Sequence, residues 1–282
     1  MHPEDIPQTP APETAAPKRF RGKPHRTVYY TDPLKDDFVN TPVEAVTIDG
    51  NFPFVHRSAL WRAGETALWL LLCPLVWIIN HLWFGVRVRN RKALRGLRKQ
   101  GFFLFGNHTQ AFPNATMPTL LAFPRRAYVL ANPDAVSIPF LRSVVQMLGA
   151  FPVPDTPSGH RAFLRAMGER TAQKAVFAVY PEAHIWPYYT GVRPFPSASF
   201  IYPVHFGRTV VACAVTYRRR RILRFLPPAL TLTLSDPLFP DPAAAPGADR
   251  ERLCREVYRF LSEKAEENEV EYVRYVRRGN AG

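Results

Sequence analysis

Cysteine is scarce in this chain, with 3 in 282 residues, and Cys73, Cys213 and Cys254 lie far apart with no C-x-x-C spacing. That argues against a disulfide framework or a zinc site and leaves each thiol as apolar filling in a reducing compartment. The first 30 residues lack a charged stretch followed by an apolar one, so a secretory signal is not expected. Internal repeats are absent. Acidic residues are few: 23 Asp+Glu face 37 Lys+Arg, a net charge of +14. An anionic partner follows, and nucleic acid, an anionic membrane surface and a phosphorylated substrate all qualify. With 46% apolar and 13% aromatic residues the chain is not disordered, and its length allows one large domain or two small ones.

The charge is unevenly placed. Residues 1–65 hold 8 basic and 9 acidic side chains, so the remainder carries 29 against 14. Arg87, Arg89, Arg91, Lys92, Arg95, Arg98 and Lys99 run without an intervening acid, and Arg218 to Arg221 with Arg224 form a second block. Residues 1–27 read as a disordered tail rich in Pro, Ala and Thr, and 28–64 as an irregular aromatic strap.

Residues Ala67 to Val86 contain no charge and three tryptophans over 20 positions. A helix of that length just crosses the hydrocarbon layer, but Pro74, Asn80 and His81 weaken that reading and put a bent helix lying in the interface or dipping into one leaflet on at least an equal footing; a buried helix of a soluble protein is the third possibility. The basic run that follows is the kind retained on the cytoplasmic side, so 65–99 reads as a membrane-associating helix with a basic flank.

From residue 100 to 248 short apolar runs alternate with amphipathic stretches, as in an α/β domain. Strands are expected at 102–105, 127–131, 150–153, 175–179, 210–217 and 230–234, and helices at 115–122, 138–148 and 159–173. A last helix is expected over 249–282, its apolar spacing clearest at Leu253, Val257, Phe260 and Leu261.

Two strands end on polar residues. The run 102–105 stops at Gly106-Asn107-His108, where a histidine at a strand end is placed to act as a base, and Asn114 reads as a helix cap. The run 176–179 leads into Tyr-Pro-Glu182-Ala-His184. Hydrophobic segment, strand, Asn-His, Gly-Ala-Phe-Pro-Val, Pro-Glu and a late Val-rich strand occur in this order over about residues 65–235. That order resembles the glycerolipid acyltransferases of the lysophosphatidate acyltransferase type.

The resemblance implies a mixed sheet flanked by helices and an N-terminal membrane-associating helix. It also implies transfer of a fatty acyl group from acyl-CoA or acyl-carrier protein to a lysolipid hydroxyl. His108 takes the role of general base beside Asn107, and no metal or resident cofactor is called for. The family places an Asp five residues after its His; here that position is Pro113 and the next is Asn114. An Asn can accept the ring N–H, but it can also turn its amide nitrogen inward and select the wrong tautomer. Of the family's Glu-Gly-x-Arg motif only Glu182 remains, to hold the acceptor or the loop. The position of a further phosphate-gripping Arg holds Asp155. Arg161, His184 and Arg193 are the candidate replacements, Arg193 the best placed of them, unless the acceptor carries no phosphate. Backbone N–H groups from Gly106 to Gln110 or at the following helix are expected to stabilise the oxyanion, with Thr109 and Gln110 lining the substrate site. The rival reading is a catalytically weak, membrane-attached lipid binder of the same fold. A nucleic-acid binder explains the charge but not the apolar segment.

Overall fold

The computed structural model describes residues 20, 23–39, 43–138 and 141–278, so most of the expected N-terminal tail lies outside the described residues. In chain order the strands are β1 (Arg26–Tyr30), β2 (Arg87–Arg89), β3 (Phe102–Gly106), β4 (Ala127–Ala131), β5 (Ala150–Pro152), β6 (Val176–Val179), β7 (Val210–Arg218), β8 (Ala229–Leu234) and β9 (Val273–Arg277). The helices are α1 (Ala59–Ile78), α2 (Ala111–Ala122), α3 (Leu141–Met147), α4 (Pro157–Ala172), α5 (Ile201–Phe206) and α6 (Pro246–Ala265).

Seven strands form a mixed sheet in the order β2-β8-β7-β3-β6-β4-β5, parallel throughout except for the antiparallel β7–β8 hairpin. The central strands β3 and β6 are apolar at every position because both faces are covered. Alternation along them builds two cores. Phe103, Phe105 and Phe177 pack with Phe163 of α4 and Leu253 of α6, while Phe102, Leu104 and Val176 pack with Met117 and Leu121 of α2.

Three expectations are corrected here. Helix α2 begins at Ala111, four residues before the expected start, so Asn114 lies inside its first turn and is not a cap. Pro113 does not block this, because a proline in the first turn lacks only an N–H that would have no intrahelical partner. The last helix ends at Ala265, where the chain turns and Asn268 satisfies the end of β7, its Oδ1 accepting from Tyr217 N at 2.7 Å. Residues 273–277 then form β9, which pairs in parallel with β1, so part of the strap is a regular strand.

Helix α1 starts at Ser58, whose Oγ accepts from Trp61 N, and continues past Ile78 as a π-type turn over Ile79–Trp83. Its inner side is tied to the domain along its length. Glu65 reaches Arg126 at 3.6 Å, Trp69 stacks on Phe123, and the buried Asn80 donates to Thr116 of α2 at 2.9 Å. The opposite side is an exposed apolar stripe that includes Leu60, Leu71, Leu75, Ile78 and Leu82.

Candidate active site

Strand β3 ends where its backbone passes close to its neighbours. A Cβ on Gly106 would stand 3.1 Å from the Cys213 carbonyl and 3.1 Å from the Tyr180 ring. The next residue leaves the sheet but keeps its pairing: Asn107 Oδ1 accepts from Val215 N at 2.7 Å and its Nδ2 donates to Val215 O at 3.0 Å. That side-chain clamp releases the main chain and carries His108 over the C-terminal edge of the central strands, where open α/β sheets bind ligands.

The His108 ring stacks on Tyr180 with centroids 4.6 Å apart and planes 10° from parallel. Its Nδ1 lies 2.8 Å from Asn114 Nδ2, which also donates to the Asn107 carbonyl at 3.2 Å. The Tyr180 hydroxyl donates to Asn114 O at 2.6 Å, fixing the helix turn that carries the amide. A carbonyl oxygen only accepts, so the Asn107 contact assigns the NH₂ end of the amide to this side. Its second hydrogen then points at His108 Nδ1, which must be unprotonated, and the ring proton sits on Nε2.

Burial drives the His108 pKa down to about 3, and the Arg193 guanidinium pushes in the same direction. At neutral pH the ring is an uncharged imidazole.

Glu182 and Arg193 form a fully buried pair at 3.2 Å beneath the histidine. Glu182 Oε2 accepts the backbone N–H of His108 at 3.3 Å, and Oε1 accepts that of Arg193 at 3.3 Å. Burial raises the Glu182 pKa, and Arg193 opposes the rise. Arg193 also donates to the carbonyls of Glu182, His184 and Pro33 and lies over the Trp186 ring. The strap crosses this loop: Asp37 meets His184 Nδ1 at 3.3 Å and the Asp36 carbonyl accepts from the Trp186 indole at 2.8 Å.

Between α1 and α2 lies a largely apolar cavity of about 380 Å³ lined by Leu70, Cys73, Trp77, Met117, Leu121 and Phe123, with His81 and Arg91 also in its wall. Met117 stands one helical turn beyond Asn114.

This fold is shared with a lipid acyltransferase. The crystal structure of the 1-acyl-sn-glycerophosphate (LPA) acyltransferase PlsC from Thermotoga maritima matches with a TM-score of 0.52, covering 74% of this chain and 84% of that one at 19% sequence identity. No family model and no curated protein matches the sequence. The likeness is therefore one of fold, and it agrees with the expected mixed sheet flanked by helices.

The structure brings Asn107, His108, Asn114 and Glu182 into one hydrogen-bonded cluster. Arg193 departs from expectation: it is 1% exposed and its guanidinium is held by carbonyls and Glu182, so it is a support of the loop with no face toward a phosphate. His184 is likewise engaged, by Asp37. Gln110 donates to the Tyr217 hydroxyl at 3.2 Å and Thr109 is buried with its carbonyl accepting from Tyr188 N and the Tyr217 hydroxyl, so both serve the loop and do not line an open site. The His108 N–H is committed to Glu182 and is not spare for an oxyanion. Arg161 is exposed one turn into α4, at the same end of the sheet, but its side chain follows β5, three strands from β3 and so about 14 Å across. Sequence reasoning passed over Tyr180 and Asp37. Tyr180 carries one local signal, its position immediately before Pro-Glu at a strand end; Asp37 comes from the strap, 71 residues before His108, and has none.

Proposed function

We propose that the chain is an acyltransferase that moves a fatty acyl group from an acyl thioester to a hydroxyl of a lysophospholipid or related glycerolipid at a membrane surface. The observation that carries this reading is the His108 imidazole at the end of the central strand, its Nδ1 held 2.8 Å from Asn114, on the fold of a lipid acyltransferase. His108 Nε2 removes the hydroxyl proton as the oxygen attacks the thioester carbonyl, and returns it to the departing thiolate. For that step the ring needs its proton on Nδ1, so the Asn114 amide has to turn its oxygen inward and give up Asn107. The N–H groups of Ala111 and Phe112 at the start of α2 are the oxyanion donors this reading assigns, since Pro113 has none, that of Asn114 goes to Gln110 O and that of His108 is taken. The apolar cavity between α1 and α2 takes the acyl chain.

The attachment follows from α1. The ties of α1 to the domain at Glu65, Trp69 and Asn80 support a helix that lies along the interface with its Leu60-to-Leu82 stripe in the acyl layer. The basic run after it supports a place on the cytoplasmic leaflet, whose anionic lipids attract Lys and Arg.

The donation from Asn114 to His108 Nδ1 favours a second reading, a weak or inactive lipid binder. Purified protein is given labelled acyl-CoA or acyl-carrier protein and a panel of lysolipids. Label transfer that disappears in His108→Ala supports the enzyme, whereas lipid binding without transfer from any donor sinks it.

A further inference from the structure

We propose that the tip of the β7–β8 hairpin, residues 221–226, is a second membrane contact that inserts Ile222 and Phe225 and reads anionic lipid headgroups through Arg221 and Arg224. The inference rests on the interfacial placement of α1 but not on acyl transfer.

Ile222 and Phe225 are 80% and 82% exposed, the most open large apolar side chains among the described residues after Leu60 of α1. Two such side chains three positions apart on an exposed tip are not explained by any packing within the domain. The turn holds them outward: Leu223 adopts φ +54° and its carbonyl accepts from Leu226 N at 3.0 Å. Arg221 and Arg224 are exposed beside them, and no acidic residue occurs from Arg218 to Ser235. The acids nearest the hairpin base are already engaged, Glu267 with Arg89 at 2.9 Å and Glu269 with the backbone N–H of Arg219 at 3.0 Å. Apolar side chains flanked by unopposed arginines match the boundary between acyl chains and anionic headgroups, where a snorkelling arginine keeps its head at phosphate level.

Position decides the rest. The hairpin base is fastened to the end of α1: Arg220 donates to Trp83 O and to Pro227 O, Arg218 donates to Gly85 O, and Leu230 N donates to Phe84 O at 3.1 Å. Exposed Leu82 and Trp83 at that end of α1 thus continue into the exposed tip, making one apolar surface from two chain segments about 140 residues apart.

The test uses the full chain on vesicles of phosphatidylcholine alone or with phosphatidylglycerol. An environment-sensitive fluorophore is placed on Ile222→Cys in a Cys73→Ser background, Cys213 and Cys254 being buried. On mixed vesicles its emission should shift to the blue and be quenched by nitroxide-labelled lipid. Arg221→Ser with Arg224→Ser should weaken partitioning onto mixed vesicles roughly thirtyfold, at about 1 kcal/mol per arginine, and leave that onto phosphatidylcholine unchanged. Ile222→Ser with Phe225→Ser should weaken both. Protein that sediments with vesicles while the probe stays in water overturns the hairpin contact alone. Equal losses for the arginine variant on both vesicle types, or no loss on either, overturn the reading of headgroup charge. A chain that does not sediment at all overturns the interfacial placement of α1 and this inference with it.

Discussion

Asn114 and His108 are joined at 2.8 Å by an amide nitrogen, not an oxygen, and the Asn107 carbonyl at 3.2 Å from the same nitrogen keeps it so. The pair has the layout of a base and its orienting partner but the opposite polarity. It sets the tautomer of the imidazole by a contact outside the ring's reach toward substrate.

Asn114→Asp should reverse that polarity. A carboxylate accepts from Nδ1–H, frees Nε2 as the base and stabilises the imidazolium, so turnover should rise by about 10² or more; in serine proteases the opposite exchange costs about 10⁴. The Asn107 carbonyl loses its donor, so stability should fall by about 1–2 kcal/mol. Rates and urea melts on the same preparation check both. A folded variant with lower turnover would mean that residue 114 does not stand in the acid's place.

Arg193→Met should unfold the protein before it alters affinity for the acceptor. It leaves Glu182 buried without its countercharge, a loss of about 3–5 kcal/mol, and releases the loop under His108. Pairing it with Glu182→Leu should recover part of the stability. If Arg193→Met instead folds normally and only raises KM for phosphate-bearing acceptors, the guanidinium meets substrate.

Acid should weaken the fold through His108. Its folded pKa of about 3 lies below the unfolded value near 6.5, so between these pH values the unfolded chain binds the extra proton. The stabilisation is therefore complete above about pH 6.5 and is lost as pH falls toward 3. From pH 7 to pH 5 this group should remove about 2 kcal/mol. Denaturant melts of the wild type and His108→Gln at the two pH values should differ by that amount, the variant losing less.

Leu71→Asp should detach the protein from membranes without unfolding it. Leu71 is 73% exposed in the middle of the α1 stripe, so the folded domain does not use it. Vesicle co-sedimentation should fall steeply while the thermal midpoint stays within about 2 °C of wild type.

Much of this was legible along the chain. Continuous apolar runs bounded by Gly, Asn or Pro locate the inner strands, because a strand covered on both faces has no polar position to offer. The 20 uncharged residues of 67–86 announce a long apolar helix for the same reason of composition, and the structure has one over Ala59–Trp83. Asn107, His108 and Glu182 stand out because polar residues end apolar strands. Their partners do not: Asp37, Tyr180 and Trp186 reach the histidine or its loop through the strap and through a ring stack, neither of which has a period or a spacing.

The fate of the polar groups was decided by folding. A sequence shows that Arg193 is charged and near Glu182 in order, but only packing removes it from water and spends its donors on Glu182 and three carbonyls. It shows that residue 114 is Asn, whereas the direction of the amide depends on the Asn107 carbonyl that the α2 start brings within 3.2 Å. And three cysteines, too few to organise anything by bonding, end as two buried core thiols on β7 and α6 and one in the cavity wall on α1. Hydrophobic pattern is local and additive along a chain; hydrogen-bond polarity and burial of charge belong to contacts between distant segments, and they exist only once those segments meet.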